Sequence, residues 1–155
     1  MTFPQTQAYF VTMIEAASAL NALGTPVTYS PFTAPESAKS AIAAALRAKG
    51  VCFEVGFPTM RSPESKLDGA TQIDAIVKVF VAESLSIPHT PNLLSLINEV
   101  ILACTAIRGL STGQKPARLD EGESTFHEDG YILHILTFSI PLNIKPSSSV
   151  SSPQV

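Results

Sequence analysis

The spacing of hydrophobic residues changes several times along this chain, and each change predicts an element. Ala8, Val11, Ile14, Ala19 and Leu23 recur at helical spacing, which predicts a helix over about 5–23 with Gly24 as its stop. Residues 24–33, G-T-P-V-T-Y-S-P-F-T, hold two prolines and no helical period, so they read as an extended connector. Thr33-Ala34-Pro35-Glu36 is a helix start. The Thr hydroxyl can accept a first-turn N–H, the Glu three residues on can return the bond, and Pro loses nothing where N–H groups lack helical partners. This second helix runs to Lys49, with Arg47 and Lys49 at its negative pole and Gly50 as cap. Ile42 and Leu46 form its thin apolar stripe.

The period then drops to two. V-C-F-E-V-G-F-P predicts a strand of about seven residues after Gly50, closed by Pro58. Residues 59–70 are mixed in charge and aperiodic, and predict an extended arm. A second strand over 71–83 places Ile73, Ala75, Val77, Val79 and Val81 on one face, with Asp74, Ile76, Lys78 and Phe80 on the other. The clearest helix spans about Pro91 to Ile107, with Thr90 as cap and an apolar stripe of Leu93, Leu96, Ile97, Val100, Ile101 and Cys104. Ala117–Asp120 reads as a short third strand. Residues 130–144 read as a long one rich in β-branched and aromatic residues. The fold class that follows is α+β: an antiparallel or mixed sheet with helices packed on one face. A single domain covers 1–145, with a connector region up to residue 33 and a core from 34, and a Ser/Pro-rich tail occupies 146–155.

Composition adds an argument for assembly. Hydrophobic residues make up 45% of the 155 and charged residues 15%, with a mean hydropathy of +0.24, which leaves few charges to cover the surface. Apolar surface of this kind is expected to be covered by further copies or partners. The net charge of −3 leaves no basic footprint for nucleic acid. Cys52 and Cys104 are far apart in apolar runs and read as small buried hydrophobes in a reducing compartment. Residues 8–24 lack a basic n-region, and 93–107 carry Asn98 and Glu99, so neither reads as a leader or a span.

Chemistry-bearing residues crowd one place, S-T-F-H-E-D-G-Y-I-L-H at 124–134. A metal site using His127, His134 and Glu128 or Asp129 would rest on a single exposed turn, without the rigidly held third ligand such sites need. Asp129-Gly130 is better read as a turn into the final strand. His134 then shares a face with Ile132, Leu136, Phe138 and Ile140. Asp120, Glu121 and Glu123 fail the calcium-loop pattern and read, with Glu128 and Asp129, as an acidic loop offered to a basic partner. The arm supplies Arg61, Glu64, Lys66 and Asp68 as further contact candidates. No phosphate loop, dinucleotide glycines or nucleophile elbow is present in the sequence, and His89, His127 and His134 nominate no triad.

The run from Ala34 to Ile144 resembles tail-completion and tail-terminator proteins of long-tailed bacteriophages. The resemblance is carried by V-C-F-E-V-G-F-P, Q-I-D-A-I-V-K-V-F-V, L-L-S-L-I-N-E-V-I-L-A and D-G-Y-I-L-H-I-L-T-F-S-I, in that order. Members often carry Arg where this strand has Leu133 or His134, so no role is carried over to that face. The resemblance implies a small α/β subunit that assembles as a ring, typically a hexamer, in the virion tail or neck after synthesis in the host cytoplasm. Such a ring caps the tail tube protein and joins it to the head–tail connector, with no enzymatic step and no cofactor. A head-side neck adaptor or baseplate component is the neighbouring alternative. A small ligand-binding or enzymatic domain using a cleft between sheet and helix is the alternative from another class.

Overall fold

A computed structural model of the chain describes residues 1–30, 35–61 and 71–144. The expected cap at Thr33, the arm residues Glu64, Lys66 and Asp68, and the tail at 146–155 lie outside these residues. In chain order the described elements are helix α1 (Gln5–Ala16), a 3-10 turn (Asn21–Leu23), strand β1 (Val27–Thr28), helix α2 (Pro35–Lys49), strands β2 (Val51–Val55), β3 (Thr59–Arg61) and β4 (Thr71–Ser84), helix α3 (Leu93–Cys104), and strands β5 (Arg118–His127) and β6 (Tyr131–Ile144). The sheet runs β1-β2-β4-β6-β5, with β3 also pairing β4. Every pairing is antiparallel except β1 with β2. This is the mixed α+β sheet that the period changes predict.

The long strands β4 and β6 pair along their whole length, from Thr71↔Ile144 to Ser84↔Tyr131. Their alternation decides the core. Ile73, Ala75, Val77, Val79 and Val81 on β4 and Leu136, Phe138, Ile140 and Leu142 on β6 are all buried on one face. Helices α1 and α3 cover that face through Phe10, Met13 and Ile14, and through Leu96, Val100 and Cys104. The Phe10 ring packs against that of Phe138 with centroids 5.5 Å apart. Helix α2 lies against the other face, where Ile42 approaches Cys52, Phe80 and Leu133, so the helices cover both faces of the sheet and not the single face expected.

Several expectations are corrected. The first helix stops at Ala16, because Ala17 is extended (ψ 118°) and the chain re-forms as a 3-10 turn that buries Leu20 and Leu23. Its buried stripe is Tyr9, Phe10, Met13 and Ile14, so Ala8 is exposed and Val11 only half-buried. The rings carry more apolar area than alanine, and they set which side faces inward. Part of the connector is strand β1, held by β2. The strand after Gly50 ends at Val55, and the first three residues of the expected arm form β3 beyond Pro58. Helix α3 starts at Leu93, not at Pro91.

The largest correction is at 120–129. Asp120, Glu121 and Glu123 do not form a loop: they lie in β5, a ten-residue edge strand. It shows no alternation because every residue but His127 is exposed, so nothing selects apolar residues on one face. The turn at Asp129-Gly130 is as expected. Gly130 sits at φ +85° and its N–H donates to the His127 carbonyl at 3.1 Å, closing the β5–β6 hairpin.

Candidate functional site

Continuing the odd-numbered face of β4 past Val81 brings Glu83 into the core, where it is only 1% exposed. A carboxylate buried to that extent needs donors. It has three. The Leu93 N–H donates to Oε1 at 2.7 Å, His89 Nε2 lies 2.7 Å from Oε1, and His134 Nε2 lies 3.1 Å from Oε2. Helix α3 is therefore capped by a residue ten positions upstream, which is why it starts later than Thr90-Pro91 suggests. The bond also helps hold Leu93 at φ +48°, a left-handed conformation unusual for leucine. As a result Leu93 leaves the expected apolar stripe and is half-exposed.

The second layer of this network is equally specific. His89 Nδ1 lies 2.8 Å from the Ile87 carbonyl oxygen, so both of its ring nitrogens face acceptors. His134 Nδ1 lies 2.7 Å from the Ser124 hydroxyl, which ties β5 to the core. Gly50, at φ +77°, passes so close that a Cβ there would lie 2.8 Å from the Ile87 oxygen and 2.9 Å from His89 Nδ1. Only glycine combines that dihedral with that approach. Ser124, His134 and Glu83 have the connectivity of a hydroxyl–imidazole–carboxylate relay. Ser124, however, stands on the open strand and lines neither of the clefts beside α2. In the described fold the network braces β4, β5, β6 and the start of α3 against one another.

Burial pushes the Glu83 carboxyl pKa up, but the bonds from Leu93, His89 and His134 outweigh it, and the net shift is below the ordinary 4.5. A lowered folded pKa means that the carboxylate's contribution is complete above the unfolded value and is lost as pH falls through the folded one. The stability difference between wild type and Glu83→Gln is therefore expected to shrink as pH is lowered from about 6 to about 3. Urea unfolding at a series of pH values measures it. A difference that stays constant across that window would show that the charge on Glu83 contributes nothing.

The expected contact residues divide into two groups. Arg61 and Asp120 come together on the α2 face: Arg61 Nη2 lies 3.3 Å from Asp74 and 3.4 Å from Asp120. Arg118 closes the group through Asp120 at 3.0 Å and Asp74 at 3.6 Å. The long arginines span β6 over Ser139 and Pro141, the partners of Arg118 and Asp74 in the ladder. Partial burial raises the Asp120 carboxyl, while the nearby Ser139 hydroxyl, Arg118 and Arg61 lower it further, so it titrates below its ordinary range. The Ser139 hydroxyl makes no hydrogen bond of ordinary length, and its influence is that of a nearby dipole. Arg61 and Asp120 are thus engaged within the chain. Glu121, Glu123, Glu128 and Asp129 remain exposed on the strand and its turn.

The two histidines of the 124–134 stretch do not meet. His127 stacks on Tyr131, ring centroids 4.5 Å apart, while His134 turns inward to Glu83. Among the described residues no group of three or more His, Cys, Asp or Glu is placed to hold a metal ion. Both cysteines are buried and free, and burial pushes their thiols up to about 11 for Cys52 and about 12 for Cys104. Large apolar side chains stay exposed on α3 and its flanks, including Leu94 at 85% and Ile107 at 76%, and on β5 at Phe126, 74%. No described helix is long and apolar enough to cross a membrane.

No protein-family model and no curated protein matches the chain. Among solved structures, a chain described as "Virion of native gene transfer agent (GTA) particle" is similar at 15% identity, with a TM-score of 0.48 over 88% of this chain and 93% of that one.

Proposed function

We propose that this chain is a structural subunit of a phage-like virion, a tail terminator or tail-completion protein whose copies form a ring between tail tube and head connector. The observation that carries this reading is the edge strand β5. It is ten residues long, exposed, rich in carboxylates, and hydrogen-bonded to β6, one of the two 14-residue strands of the sheet. A long open edge invites further pairing, and natural proteins blunt such edges with charge or cover them with a partner. The acidic residues of β5 do the first and offer a basic neighbour the second. Exposed Leu94, Leu102 and Ile107 fit the same reading, since they supply apolar surface for further contacts. The resemblance in element order from Ala34 to Ile144 supplies the position in the tail. In this role the chain performs no reaction and uses no cofactor.

Immunogold labelling of purified particles tests the reading. Label at the head–tail junction is the expected result. Label elsewhere on the particle would replace the terminator reading with that of a neck adaptor or baseplate part, and unlabelled particles would overturn the virion role.

A further inference from the structure

Beyond the bulge between Leu119 and Glu121, residues 121–127 of β5 pair without interruption with residues 131–137 of β6. No other strand pairs with β5 among the described residues, so its second edge is open. The strand is firmly held. The Ser124 hydroxyl lies 2.7 Å from Nδ1 of buried His134, and Asp120 is fixed by Arg118 and Arg61. An edge held in advance of contact loses little freedom when another strand joins it. Residues 121–127 contain no proline and no lysine, two of the devices that keep strands off an edge.

The two faces of this strand differ. Glu121 and Glu123 pair with Thr137 and Ile135 and lie on the α2 face, whereas Gly122, Ser124 and Phe126 pair with Leu136, His134 and Ile132 and lie on the α3 face. Neither glutamate has an ion-pair partner among the described residues, in contrast to Asp120. A strand laid on the edge therefore meets two carboxylates on one side, and on the other an exposed aromatic ring and the bare backbone of Gly122. A second copy of β5 does not suit it. Its carboxylates would join these on one face, and residues 119–127 hold no lysine or arginine to offset them. At the far end of the sheet, β1 is two residues long and uncharged. Of the cations in the other strands, Arg61 is engaged and Lys78 sits in β4, inside the sheet.

We propose that the open edge of β5 receives an extended segment of a different protein, one that alternates lysine or arginine with apolar residues and adds to the sheet as a further strand. Its main-chain groups bond those of 121–127, its cations stand opposite Glu121 and Glu123, and its apolar side chains cover Gly122 and Phe126. The inference rests on the reading of the chain as an assembling subunit and gives the chemistry of one of its partners.

Hydrogen exchange of the full chain with the peptide acetyl-Val-Lys-Val-Lys-Val-Lys-Val-amide at about 1 mM, a concentration that populates weak complexes, tests the proposal. Added protection confined to the amides of 121–127 is expected. Glu121→Lys with Glu123→Lys should weaken binding on the order of tenfold or more, and the variant should instead bind the peptide with glutamate in place of lysine. N-methylating every residue of the peptide removes its main-chain donors and should abolish protection of the wild type, a readout that needs no protein variant. Absent protection, protection outside β5, equal binding of the lysine and glutamate peptides by the wild type, or binding of the methylated peptide would overturn it. Protection of the same amides that grows with the concentration of the chain alone would place a second copy on the edge, which also refutes it. Junction labelling of particles without peptide protection would leave the virion role standing and remove only this contact. Peptide protection with unlabelled particles would keep the strand site and remove the virion role.

Discussion

Glu83→Ala is expected to cost about 3–5 kcal/mol of folding stability, the range for removing one partner of a buried charged network. The carboxylate is 1% exposed and accepts three hydrogen bonds. Truncation leaves the Leu93 N–H and the two imidazole donors without their acceptor in a largely buried site, and that desolvation cost exceeds the relief from no longer burying a charge. Glu83→Gln should lose less, because one amide oxygen still accepts, although the amide NH₂ then faces a donor. Urea unfolding measures both. Hydrogen exchange should also show the first turn of α3 opening more readily in the alanine variant. A loss under about 1 kcal/mol would mean that the network is solvated and braces nothing.

Phe138→Ala is the second large effect, at about 3–5 kcal/mol. The side chain is fully buried at the centre of β6, on the face covered by α1 and α3, and its ring packs on Phe10. Truncation removes a large apolar surface and leaves a cavity between two rigid layers that cannot collapse around it. Thermal unfolding should shift down as one cooperative transition. A change under about 1.5 kcal/mol would show that α1 does not pack against the sheet as described. The same substitution at Phe126 opens no cavity, since that ring is mostly exposed.

How far the sequence could be read depended on whether an element selects its own residues. β4 and β6 were legible because one face of each is buried, so apolar residues recur every second position. The hairpin turn was legible because Asp-Gly carries the positive φ within two residues. Of β5 only the start, Arg118–Asp120, was legible, because an exposed edge strand imposes no alternation on the rest. The clue was the hairpin turn, since a turn into a long strand requires a partner strand before it. The stop of α1 at Ala16 had no local signal in a run of alanines and serines. Glu83 could have been found by carrying the β4 alternation one step further, onto the face where His134 had already been placed.

The sequence by itself determined the class of the fold, the two central strands, the inward face of each, and the closing turn, all through periodicities and turn chemistry that act within a few residues. Only the tertiary structure decided what the polar residues do. It joined Glu83 to His89, His134 and the start of α3, bound Arg61 to Asp120 across the sheet, and separated His127 from His134. Such pairings depend on strand order and register, which bring together residues as distant as 83 and 134, and no short-range pattern encodes that separation.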